Sequence, residues 1–227
     1  MTASAITFHT APPRPYSLTF EEVRELFAQG DRVPIYRALP ADLETPVSVY
    51  LKLAQPDEPS FLLESVEGGE QVARYSFLGV NPSAVLTARG RTVAERRGKS
   101  VTERTLPPDQ DPLDAIKAAI GFAKPVSLPA LPRFVGGAVG FLSYDIVRHF
   151  ERLPATAIDE LNLPDVGMML VDTLVIFDHV KHQVLVLANA HNTGDPRAAY
   201  DDAIRRIEAI VARLQQPLPA LPVAPPP

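Results

Sequence analysis

The 227-residue chain contains no cysteine, which excludes disulfides, thiol catalysis and cysteine-ligated metals and fits a reducing compartment. No stretch approaches the roughly 18 apolar residues that a membrane helix needs. The N-terminal MTASAITFHTAPPRP lacks the basic region and apolar core of a secretory signal. Lys and Arg number 22 against 27 acids, a formal net charge of −5. Nucleic acids and anionic membranes reward clustered bases, so neither is expected as the main partner. Tryptophan is also absent, but in a chain this short that excludes nothing. The expected location is cytoplasmic.

What is present is the balance of a globular protein, 46% apolar and 22% charged. The length suffices for one large domain or at most two. Proline is in excess at 24 residues, crowded at Pro12–Pro15, at Pro125–Pro132 and in the terminal PLPALPVAPPP. That last segment forms neither helix nor ladder and reads as an extended spacer leading to something further.

Three helices are expected. Thr19 and Glu22 form a capping box ahead of FEEVRELFAQ, with Gly30 placed to close the helix. Asp111-Pro112 opens LDAIKAAIGFA, with Leu113, Ile116 and Ile120 on one stripe. Asp195-Pro196 starts a third, in which Tyr200, Ala203, Ile204, Ile207, Val211 and Leu214 share a face opposite Asp201, Arg205 and Glu208.

Between them the pattern is β. Val47, Val49, Leu51 and Leu53 alternate with polar neighbours, as in a half-buried strand. TVAERRGKSVTERTL reads as a polar hairpin turning at Gly98, and MLVDTLVIFD and QVLVLANA as a buried hairpin joined through HVKH. Hairpin connections without βαβ spacing point to an α+β fold of antiparallel sheets with a few flanking helices.

Motifs for chemistry are sparse. The glycines of FVGGAVGFLSYD fit neither a dinucleotide nor a Walker loop, and read as a strand that another backbone approaches closely. His179 and His182, with Asp178, could form a zinc site, but solvated turn residues are the simpler reading. No Ser-His-Asp set or carboxylate pair is announced by spacing, and acids alone specify nothing. LLESVEGGEQVARYSFLG is different: Glu64, Ser65 and Ser76 introduce polar groups where two strands enter the interior. Such groups are met either by backbone in the turn or by a ligand. A pocket with acceptors, donors and apolar walls there would suit an amino acid.

The same segment resembles anthranilate synthase component I, in its N-terminal half. PIYRALPADLETPVSVYLKL, FVGGAVGFLSYDIVRHFERLP and LPDVGMMLVDTLVIFDHVKHQVLVLANA follow that family in order, so the likeness covers roughly residues 31 to 216. The resemblance implies a tail at 1–15, a regulatory domain at 16–214 and a Pro-rich linker at 215–227 to a C-terminal chorismate-binding half. It implies that the chorismate pocket, the acids that bind Mg²⁺ and the acid/base residues lie in that other half. This chain would then hold no cofactor and be inactive alone. A glutamine amidotransferase would complete the conversion of chorismate and ammonia to anthranilate and pyruvate. It also implies that Ser65 contacts L-tryptophan as feedback inhibitor, with Leu63 and Glu64 beside it and Tyr75 and Ser76 on the returning strand. Two alternatives stand beside this: the aminodeoxychorismate synthase relative, and a stand-alone amino-acid-binding module.

Overall fold

The computed structural model describes residues 14–64, 74–121, 124–154 and 159–219. Its strands form two five-stranded sheets, antiparallel throughout, so the α+β expectation holds. The first has the order β1 (Arg32–Pro40), β10 (Gln183–His191), β9 (Thr173–Asp178), β3 (Tyr75–Gly79), β2 (Phe61–Leu63). The second has the order β6 (Ser100–Thr105), β5 (Thr92–Arg97), β4 (Ala84–Arg89), β8 (Val166–Val171), β7 (Gly137–Leu142).

Helices α1 (Phe20–Leu26), α2 (Pro46–Leu53) and α4 (Pro196–Leu214) cover one face of the first sheet, around Val33, Val186, Ala188 and Ile207. Its other face meets the second sheet through Leu174, Ile176, Leu187, Val171 and Met169. Helix α3 (Pro112–Ile120) covers the far face of the second sheet, against Leu86, Ala88 and Val166. The order of layers is therefore helix, sheet, sheet, helix.

The expected caps form. The Thr19 hydroxyl accepts from the Glu22 N–H while Glu22 accepts from the Thr19 N–H, and Asp111 and Asp114 do the same for α3. Gly30 plays a different part from the one expected. The first helix ends at Leu26, and a side chain at Gly30 would collide with the Lys124 carbonyl, to which the Asp31 N–H donates. Along α4, Ala203, Ile207, Val211 and Leu214 are buried as expected. Glu208, expected on the solvated side, instead accepts from Arg37 at 2.8 and 2.9 Å and from the Tyr16 hydroxyl at 2.9 Å.

Two strand expectations change. Val47–Leu53 is not a strand but lies in α2. Thr45 caps it through Ser48, Pro46 occupies the first turn, and Val49 and Leu53 are buried one turn apart. In eight residues an alternating pattern also contains an i, i+4 pair, and here the cap decides. MLVDTLVIFD is not one strand either. It breaks at Asp172 into β8 and β9, which belong to different sheets. The hairpins at Gly98 and at 179–182 form as read. In β7, Gly140 lies against the Gly167 carbonyl with no room for a β-carbon, the close approach expected of its segment.

Candidate functional site

The polar entry of LLES is built at one end of the first sheet. Phe61, Leu62 and Leu63 pair with Gly79, Leu78 and Phe77, so the RYSFLG segment does return alongside. β3 then pairs with β9, setting Tyr75 opposite Asp178 and Ser76 opposite Phe177. Ser65, the first candidate, and the expected turn at 67–70 lie outside the described residues.

The other four candidates divide between faces. Leu63 sits opposite Phe77, on the face that Phe77 shares with Tyr75, whose ring lies 6.1 Å away between centroids. Leu63 remains 47% exposed, and Glu64, just beyond the strand, is exposed. Ser76 points to the opposite face, that of the helices. It is only 2% exposed, and its hydroxyl lies 2.8 Å from His179 Nε2. His179 and His182 are exposed, as turn residues should be, but His179 is held by Ser76 and stacks on Phe177. Among the described residues no group of three His, Cys, Asp or Glu is arranged to hold a metal ion.

Arg74 and Asp178 close this corner, a pair that sequence reasoning missed. The guanidinium donates from Nε to Oδ1 at 3.1 Å and from Nη2 to Oδ2 at 2.8 Å. Burial pushes the Asp178 carboxyl up, but the Arg74 hydrogen bonds and the Lys181 N–H outweigh it and hold it below its ordinary value. Arg74 also lies over the Tyr75 ring, 4.8 Å from its centroid. Burial, and then the charge of Asp178, push the Tyr75 phenol up against the pull of Arg74. Nothing in a linear pattern pairs residues 74 and 178; only their cross-strand register does.

A second polar group occupies the junction of the two sheets, at the other end of β9. His191 Nε2 donates to Asp172 Oδ1 at 3.0 Å, and Ser83 and Arg32 lie beside them along a shared cavity. Burial works against the charged Asp172 carboxyl, yet the hydrogen bond and charge of His191, with Ser83 and Arg32, bring it down to about 2. Behind it, Arg206 donates to the Asp172 carbonyl, Thr173 Oγ1 and the Asn189 carbonyl, tying α4 to the crossover.

The family described as chorismate binding enzyme matches residues 58–226. Anthranilate synthase component 1 of Acetivibrio thermocellus is 38% identical over 193 residues, covering 85% of this chain and 38% of that protein. The namesake from Synechocystis sp. is 41% identical over 206 residues, covering 88% and 40%. That from Mycolicibacterium smegmatis is 39% identical over 202 residues, covering 87% and 38%. The chain thus spans about two fifths of the length of the curated relatives it matches. Among solved structures, anthranilate synthase component I from Streptococcus pneumoniae TIGR4 shares the fold. The TM-score is 0.50 at 24% identity, over 80% of this chain and 37% of that one.

Proposed function

Because the chain belongs to the chorismate binding enzyme family, we propose that it is the N-terminal, regulatory half of an anthranilate synthase component I. In this reading residues 16–214 form the regulatory domain, residues 1–15 a tail, and 215–227 a linker to a chorismate-binding half. Together with that half and a glutamine amidotransferase it makes anthranilate and pyruvate from chorismate and ammonia, in the cytoplasm, as a step of tryptophan biosynthesis. Mg²⁺ is held by acids of the other half. The observation that carries the reading is identity of 38 to 41% over 85 to 88% of this chain to proteins of that name, of which it spans only 38 to 40%.

The fold supports a missing partner half. Among the described residues β7 is an edge strand of the second sheet, and Phe141 and Leu142 on it are 48% and 44% exposed. Tyr144, Phe150, Leu161 and Leu163, which follow, are exposed as well. A surface this apolar, beside an open strand edge, is what a second half would cover.

The regulatory role rests on the LLES corner. Tryptophan inhibits only as far as it binds the inactive arrangement better than the active one. A pocket formed by Ser65, Leu63, Glu64 and Tyr75, completed by the other half, would fix the two halves in an arrangement that withholds closure of the catalytic cleft. Ser76, turned to the helices and bonded to His179, stands behind it and does not line it. Calorimetric titration of tryptophan into this chain, with and without the C-terminal half, tests the reading. Saturable binding that strengthens with the second half is the expected result. Saturable binding of chorismate to this chain alone would overturn the division of labour.

A further inference from the structure

The chain passes between the sheets twice, at residues 80–83 between β3 and β4 and at Asp172 between β8 and β9. Where the crossovers meet, a cavity of about 260 Å³ opens. Its polar wall holds Arg32, Ser83, Asp172 and His191, and its apolar wall includes Ile120 and Leu170. Arg32 begins β1 of the first sheet and Leu170 belongs to β8 of the second, so an occupant would touch both sheets.

Of the arginines and acid lining this space, Arg97 is already paired with Glu95 at 2.6 Å, whereas Arg32 and Asp172 are not joined to each other. The charge of Arg32 acts on the Asp172 carboxylate, yet the two make no ion pair. Among the described residues the Arg32 guanidinium finds no hydrogen-bond acceptor, and its Nε is buried without a partner. A polar group removed from water without a partner is costly, and a cation more so. An anion alone would satisfy Arg32 but face Asp172, and a cation alone would do the reverse. A molecule carrying a carboxylate and an ammonium on one carbon offers a partner to each.

We propose that this junction cavity binds a free aliphatic α-amino acid. Its carboxylate pairs with Arg32, its ammonium with Asp172, and its side chain lies against Ile120 and Leu170. His191 is a positioning residue, holding the Asp172 carboxylate in place from the side. The low carboxyl of Asp172, at about 2, keeps the acceptor of the ammonium charged at any ordinary pH. The site is separate from the LLES corner, because the six residues of β9 put roughly 20 Å of strand between Asp172 and Asp178. It does not depend on the regulatory reading given above.

Leucine titrated calorimetrically into the 227-residue chain tests this. Isocaproate, which lacks the ammonium, and isopentylamine, which lacks the carboxylate, serve as controls. The expected result is saturable binding of leucine, at least about tenfold weaker binding of either control, and a similar loss in Arg32→Gln. If Arg32→Gln fails to fold, Arg32→Lys replaces it, with weakened binding expected because a bidentate fork becomes a point charge. An imidazole resonance that moves with leucine and is missing in His191→Gln places the ligand at the junction. Absence of saturable binding, controls that match leucine, or binding unchanged in both Arg32 variants overturns the proposal. So does leucine binding that survives Arg32→Gln but is lost in Ser65→Ala, since the ligand would then sit at the LLES corner.

Discussion

Arg74 reaches across from the start of β3 to grip the carboxylate of Asp178 at the end of β9, with both oxygens engaged and the acid only 3% exposed. Replacing the guanidinium by an apolar side chain would leave a buried carboxylate without its main partner. Arg74→Met is expected to lower the melting temperature at pH 7. The Asp178 carboxyl is depressed in the folded chain, so its contribution is present above the ordinary carboxylate range and fades as the pH falls below it. The gap between wild type and variant should therefore narrow only once the pH falls below about 3.8, as thermal melts at pH 7 and at successive pH values below 3.8 would record. A gap independent of pH would mean that packing, not charge, carries the effect.

Asp172 gives a second pH dependence. Its carboxyl is lowered from 3.8 to about 2 in the folded chain. The stabilisation is fully present above the unfolded value and is lost as the pH falls through the folded one, a window from about 4 down to about 2. The shift corresponds to about 2 kcal/mol. Asp172→Asn should lose about that much at pH 7, and its acid-unfolding profile should lack this part of the slope. Urea unfolding followed at several pH values measures both.

Ser76 is a test of local structure. Its hydroxyl and His179 Nε2 lie 2.8 Å apart on a residue 2% exposed. Ser76→Ala should cost about 1 kcal/mol, or a few degrees in melting temperature. The His179 ring resonances should also move once the serine hydroxyl is gone, which proton resonance spectroscopy would detect.

The regulatory reading predicts that Ser65→Ala, made in the complete enzyme, weakens inhibition by tryptophan and leaves uninhibited turnover near normal. Inhibition curves at fixed chorismate decide it. Unaltered sensitivity in the variant would sink the assignment of Ser65.

The exposed apolar surface predicts association. With Phe141, Phe150, Leu161 and Leu163 each at least 48% exposed, the chain alone should self-associate as its concentration rises, in light scattering. Phe150→Ser with Leu161→Asp should reduce it, as should addition of the C-terminal half. A sharply monomeric sample would favour an autonomous module.

The sequence determined the local structure wherever cap and periodicity agreed. Thr19 with Glu22, Asp111-Pro112 and Asp195-Pro196 each open the helix they announce, because a cap acts within one turn of chain. It also determined the hairpins at Gly98 and 179–182, and the resemblance that led to the family. It misled where short patterns fit two structures. Val49 and Leu53 satisfy both strand and helix spacing, and the apolar run through Asp172 gives no sign that it changes sheet. Only the tertiary structure decided what the polar residues meet. Ser76 with His179, Arg74 with Asp178, and Asp172 with His191 are between 19 and 104 residues apart in the chain, and sheet register alone brings them together. Register is set by how whole faces pack, and no single segment carries that information.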